Sequence, residues 1–214
     1  ELITRGRSLQ VYVDRERALY SSWYEFFPRS AGGRDEQGRA VHGSFVTAAK
    51  ELDRVASMGF DVVYLPPIHP IGVTNRKGRN NTLGPGRGDP GSPWAIGGPG
   101  GGHDAIHSDL GTLEDFDRMV ARAAELELEI ALDFAIQVSP DHPWLVEHPE
   151  WFQRRADGSI KYAENPPKTY EDIHNVDWES ADWKGLWEAL RDAVLYWCGR
   201  GIRGRARRLS GQRR

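Results

Sequence analysis

The chain has a single cysteine, Cys198, in 214 residues. No disulfide framework can form within it, which fits a reducing compartment, and a cytoplasmic location is expected. No run of ~18 apolar residues occurs, so no membrane-spanning helix is expected. The start carries no basic-then-apolar signal peptide. The first residue is Glu1 rather than Met, so the natural start is expected to lie upstream. No Gly-Lys-Ser/Thr ends the glycine-rich stretch, which excludes a Walker phosphate loop. No Gly-x-Gly-x-x-Gly joins a strand directly to a helix either, which excludes the dinucleotide fingerprint. Acidic residues are missing after Asp192.

That last gap divides the charge. The net charge is −3, from 28 Lys plus Arg against 31 Asp plus Glu. Gly199 to Arg214 hold seven arginines and no acid, so the first 198 residues carry 21 cations against 31 acids. An acidic body therefore ends in a basic tail. Hydrophobic residues make up 39 % and charged residues 28 %, which suits a globular protein and excludes collagen-like or wholly disordered chains. The length falls short of the ~250 residues of a complete (β/α)₈ barrel.

Short apolar runs alternate with amphipathic stretches. Trp23 to Phe27 reads as a strand closed by Pro28. Ser44 can cap a helix with an apolar face of Phe45, Ala48, Ala49, Leu52, Val55 and Ala56, ended by Gly59. Val62-Val63-Tyr64-Leu65, stopped by Pro66-Pro67, reads as a buried strand. Thr112 and Asp115 have capping-box spacing, and Phe116, Met119, Val120, Ala123 and Leu126 form the face of a second helix. Ile130 to Phe134 is a third strand, and residues 181–198 a third helix with Trp183, Leu186, Leu190, Val194 and Trp197 on one face. Three strand–helix units predict an α/β fold with a parallel sheet. The segments 66–111 and 135–178 show little periodicity, and loops this long in a compact fold are usually functional.

Several residues there could carry chemistry. Thirteen of residues 82–102 are Gly or Pro, which fits either a flexible surface loop or backbone lying close to a ligand. Asp133 ends an apolar run, so its buried carboxylate needs a partner or a role. Gln137 can both donate to and accept from a sugar hydroxyl. Lys77, in the basic, amide-bearing run Asn75 to Asn81, suits an anion such as a phosphate and equally suits a solvated loop. Asp141-His142-Pro143-Trp144 invites a metal reading on thin support; no metal or other cofactor is expected. Six of the eight tryptophans lie between Trp144 and Trp197; their rings can face sugars or pack beneath the loops.

Taken together, these segments resemble the α-amylase superfamily. Phe60 to Ile68 is similar to its second barrel strand. Gly111 to Phe116 and Leu132-Asp133-Phe134-Ala135-Ile136-Gln137 resemble the helix and third strand around its first signature, with Gln137 and Val138 where Asn and His are usual. Those departures argue against an ordinary amylase, and the chain more closely resembles the α-1,4-glucan:maltose-1-phosphate maltosyltransferases. The motifs are Leu65-Pro66-Pro67-Ile68-His69-Pro70-Ile71-Gly72, Lys77 to Asn81, Gly88 to Gly97, Ser139 to Trp144, and Glu164 to Ile173. The resemblance runs from about Val13 to Gly201.

The resemblance implies the N-terminal part of a (β/α)₈ TIM barrel, with about three βα units and a long insertion after strand 3. Residues 1–21 would end a preceding region and 22–138 would carry the first three strands. Residues 139–178 would form a B-type insertion, and 179–203 the third barrel helix and the start of strand 4. It implies transfer of maltosyl from α-maltose 1-phosphate to the non-reducing end of an α-1,4-glucan by retaining double displacement. Lys77, Gln137, Asn165, Tyr170, Asp172 and Ser92 are carried over as substrate-binding residues, with Asp133 as a structural strand-end acid. The resemblance allows a homodimer of the full-length enzyme and implies no membrane partner. The family's nucleophilic Asp and acid/base Glu follow strand 4, so the 214 residues are expected to be inactive. Two other functions stand beside this one: a non-catalytic carbohydrate-binding remnant, and another α-amylase-type hydrolase or transglycosylase. The Arg-rich tail 204–214 is either a nucleic-acid-binding arm or the product of a lost reading frame. The second is preferred, because the family match stops there.

Overall fold

The computed structural model describes residues 6, 9, 11–202 and 204–206, the last three as backbone alone. In chain order the elements are α1 (Glu16–Leu19), β1 (Trp23–Glu25), α2 (Phe45–Ser57), β2 (Val62–Leu65), α3 (Leu113–Glu125), β3 (Glu129–Asp133), α4 (Trp144–Glu147), β4 (Tyr162–Asn165), β5 (Lys168–His174), α5 (Trp183–Gly199) and β6 (Gly204–Ala206). Four strands form a sheet in the order β1-β2-β3-β6. Every pairing is parallel, with Val62 opposite Glu129 and Ala131 opposite Gly204. Parallel neighbours need a crossover between them, and α2, α3 and α5 lie in those crossovers.

Local chemistry sets the helix starts. The Ser44 hydroxyl accepts from Thr47 N, and the Thr47 side chain accepts from Ser44 N. Thr112 and Asp115 exchange the same pair of bonds at α3. Each reciprocal cap satisfies two of the helix's orphan N–H groups. Phe45, Ala48, Leu52 and Val55 are fully buried on α2, as are Phe116 and Met119 on α3. These faces pack on the odd side of β2 (Val63, Leu65) and the even side of β3 (Ile130, Leu132). Val62, Tyr64 and Ala131 form a separate cluster on the opposite face of the sheet. Side chains alternate along a strand, so Asp133 lies on that face with Ala131, at the C-terminal end of β3.

A second core gathers Val138, Trp151, Phe152, Val176, Leu186 and Leu190. Beside it β4 and β5 form an antiparallel hairpin. α5 contributes Leu186 and Leu190 to this core and Trp197 to the main one. The buried stripe of α5 is Leu186, Leu190, Ala193 and Trp197. Trp183, expected on it, is 47 % exposed. It is the first residue of the helix, one turn before Leu186, and no second core residue reaches it there. Backbone pairing of β6 with β3 begins at Gly204. The tail readings for residues 207–214 fall outside the described residues, as does most of the segment before Val11. Among the described residues no helix is long and apolar enough to cross a membrane.

Candidate functional site

The loops after β2 and β3 face each other at the C-terminal end of the sheet. Asp141 clamps them. Its Oδ2 accepts from Val73 N at 2.6 Å and Thr74 N at 2.8 Å, and its Oδ1 from the Thr74 hydroxyl at 2.6 Å. Burial pushes the Asp141 carboxyl up, but these hydrogen bonds outweigh it and hold it below the usual range. A Cβ on Gly72 would lie 2.5 Å from the Ser139 Cβ, so the two loops touch backbone to side chain. Asp141 is thus an anchor, not a metal ligand.

Past that clamp the chain reaches β5. Asn75 Nδ2 donates to the Glu171 carbonyl at 3.2 Å. Lys77 follows, 4 % exposed, with its Nζ 3.9 Å from Oδ1 of Asp172, itself 2 % exposed. That distance is too long for a hydrogen bond, and Asp172 Oδ1 is buried with no hydrogen-bond partner. Burial accordingly raises the Asp172 carboxyl, only partly opposed by its own backbone and by Lys77. The rest of the basic run turns elsewhere. Arg76 donates to the Gly72 and Ile71 carbonyls at 2.8 and 2.9 Å. Arg79 is 92 % exposed beside Asp89. Of the run's cations only Lys77 is buried.

Gln137 precedes Val138, which exchanges two hydrogen bonds with His174, at 3.0 and 2.7 Å, in an antiparallel bridge. On the side of Asp172 that register runs from Val138 towards Pro140, not towards Gln137. Gln137 is 9 % exposed. Tyr170, half-buried, pairs with Ala163 of β4 just before an irregularity that shifts the register to His174 opposite Tyr162. Asn165 pairs with Lys168 at the hairpin end and is exposed. Ser92 sits apart, half-buried at the start of the turn closed by Ala95 N on Ser92 O. Next to it Trp94 Nε1 donates to Asp133 Oδ2 at 2.8 Å, while Asp133 Oδ1 is buried without a partner. The structure therefore brings Lys77 and Asp172 together in one seam, and it pairs Trp94, two residues past Ser92, with Asp133 on a second limb.

An α-1,4-glucan:maltose-1-phosphate maltosyltransferase of Corynebacterium glutamicum is 58 % identical over 202 residues, 94 % of this chain and 30 % of that protein. Its counterpart in Mycobacterium tuberculosis is 53 % identical over 203 residues, 95 % of this chain and 29 % of that one. The chain belongs to this maltosyltransferase family. It spans about 30 % of the length of the curated relatives it matches. No family model matches. Among solved structures, an alpha-amylase from Lactobacillus plantarum aligns with a TM-score of 0.69 at 31 % identity, over 89 % of this chain and 38 % of that one. A noncanonic maltogenic alpha-amylase from Thermotoga neapolitana gives 0.68 at 28 %, over 91 % and 40 %. The parallel sheet is thus the N-terminal part of an α-amylase-type TIM barrel, and the loops after β2 and β3 leave it at the strand ends where such barrels hold their active sites.

Two metal-like signals among the described residues are tied up by other contacts. His103 and His107 have His-x-x-x-His spacing, but that pattern converges on one metal from one face of a helix. Neither residue lies in a helix, and His103 Nε2 meets the Ala135 carbonyl at 2.8 Å. His148, Glu150 and Asp182 bring three ligand atoms within 4.8 Å of one another. Asp182 already caps α5 through Gly185 N at 3.2 Å and accepts from Trp151 Nε1 at 3.1 Å. The positive end of α5 opposes a cation at the same spot.

Proposed function

We propose that the seam binds the donor of a maltosyl transfer, α-maltose 1-phosphate, in a cytoplasmic enzyme that extends α-1,4-glucans. The observation that carries this reading is the buried, incompletely satisfied Lys77–Asp172 pair. An unpaired buried carboxylate oxygen is costly, so it calls for a ligand hydroxyl or water. Lys77 supplies the cation for phosphate or for hydroxyls near it. Gln137, Tyr170 and Asn165 offer the mixed donor and acceptor groups that sugar hydroxyls need, and Ser92 forms part of the wall. The sequence identity to maltosyltransferases supports the choice of substrate.

In the reaction so implied, a carboxylate attacks the anomeric carbon as phosphate departs, and a second carboxyl assists, then deprotonates the 4-hydroxyl of the acceptor. Exclusion of water favours transfer over hydrolysis. Neither of these two carboxyls is assigned among the 214 residues, so they release no phosphate alone. Calorimetric titration tests the donor site. Wild-type chain should bind α-maltose 1-phosphate more tightly than maltose, and Lys77→Met should erase most of the difference. Equal affinity for the two sugars, unchanged in Lys77→Met, would overturn the assignment.

A further inference from the structure

Above the seam, the two loops meet over a column of buried rings that the proposed donor site does not use. His69, His103 and His142 are 3, 2 and 2 % exposed. His142 lies between two glycine backbones. A Cβ on Gly97 would come 2.3 Å from its Cδ2, and one on Gly102 would come 2.3 Å from its Nε2. Both approaches require glycine. At Gly97 and Gly102 the glycine-rich stretch therefore closes on an imidazole.

The hydrogen bonds around these rings fix the protons. The backbone N–H of Trp144 donates to His142 Nδ1 at 3.1 Å, so that nitrogen is bare. The His142 proton is then on Nε2, which faces His103 Nδ1 at 3.3 Å and donates to it. His103 in turn carries its proton on Nε2 and donates to the Ala135 carbonyl at 2.8 Å. A charged form of either ring would set one N–H against another. Burial holds both rings neutral: His142 is pushed down to about 2 and His103 to about 4, the latter despite the Ala135 carbonyl and the nearby Asp104. Trp144 stacks on His103 at 5.2 Å and 19°, and Trp197 Nε1 donates to the His103 carbonyl at 2.7 Å.

This run of bonds ends at Ala135, two residues past Asp133 and two before Gln137. The arc 135–139 is tied again at Val138, by His174, and at Ser139, whose N–H donates to Ile96 O at 2.7 Å and whose hydroxyl donates to Gly97 O at 2.6 Å. We propose that His142 and His103 are positioning residues: through one tautomer-locked pair they set the arc that carries Gln137. The importance of Gln137 rests on the donor-site reading; the lock itself does not.

Two measurements on the full 214-residue chain test it. Imidazole ¹⁵N spectra at neutral pH should show His142 and His103 both protonated at Nε2, and His69 at Nδ1, where it donates to Ala105 O at 2.9 Å. Amide exchange at Val138 and Ser139 should then discriminate variants. His142→Phe keeps a ring but loses both bonds, and should speed exchange about tenfold while β2 and β3 amides stay unchanged. His142→Gln keeps the donor towards His103 and should restore most of the protection. A His142 proton on Nδ1, or equal exchange in the Phe and Gln variants, would overturn the proposal. Exchange does not depend on ligand, so absence of α-maltose 1-phosphate binding would sink the donor reading and leave this one standing. The tautomer measurement needs no variant, so a Phe substitution that fails to fold does not shield the idea.

Discussion

Acid should unfold this chain from the inside. His69, His103 and His142 are held at about 3, about 4 and about 2, chiefly by burial. An unfolded imidazole titrates near ~6.5. A folded pKa below the unfolded one means that the unfolded chain binds more protons, so stability is intact above ~6.5 and falls as pH drops below it. Each such group costs about 1.4 kcal/mol per pH unit until its folded pKa is reached. At pH 5 that is roughly 2 kcal/mol per imidazole and about 6 kcal/mol for the three, against a typical total of about 5–15 kcal/mol. His107 and His174 are also lowered by burial and act in the same direction. Asp172, raised by burial, opposes them as a single group. The lowered carboxylates Asp35, Asp61, Asp115, Asp141 and Asp157 act only nearer the usual carboxylate range. Urea melts followed by far-ultraviolet circular dichroism, at steps from pH 7.5 to 5, give the slope directly. It should reach about 4 kcal/mol per pH unit, three protons' worth. His142→Gln should lower it by about one proton. A free energy flat between pH 6.5 and 5 would refute the claim that these rings are neutral in the fold.

Two further outcomes follow from the backbone. Gly97→Ala places a methyl 2.3 Å from His142 at φ +105° and should cost well over the roughly 1–2 kcal/mol of left-handed strain alone. Gly88→Ala, at φ +91° with nothing within 4 Å, should cost only that strain, so comparing the two melts isolates the ring contact. Thr112→Ala removes the reciprocal cap of α3 and should cost about 1 kcal/mol by urea titration, while Asp115→Asn, which keeps an acceptor, should cost less.

What the sequence made legible was whatever is local. The capping pairs at Ser44 and Thr112 and the apolar stripes of α2 and α3 are set within a few residues, so spacing alone reveals them. Asp133 stood out because a carboxylate interrupts an apolar run. The hairpin β4–β5 did not show: five of its eleven residues are exposed and its apolar alternation is faint, so no period-2 signal arises. The imidazole lock was equally hidden. His69, His103 and His142 are more than thirty residues apart in sequence, and no spacing rule joins them. Read singly, His142 suggested a metal, and the glycines around Gly97 and Gly102 suggested either slack or a ligand. Only their contact explains both.

That contact also accounts for how loops of this length stay ordered. Such segments cost conformational entropy in proportion to the residues fixed, so packing must offset it near the site itself. α5 does this: Leu186 and Leu190 enter the second core, while Trp197 enters the core of the sheet. Trp197 also donates to the His103 carbonyl and meets His69 at 5.7 Å. One helix thus supports the insertion, the sheet and the ring column together. Gln137, proposed to bind the donor, precedes Val138, a member of the core that Leu186 and Leu190 fill, so its backbone inherits its position from that packing. Leu186→Ala and Leu190→Ala should therefore speed amide exchange at Val138 more than in α2 and α3, whereas Trp197→Ala, which strips a ring from Phe116 of α3, should speed exchange in α3 as well.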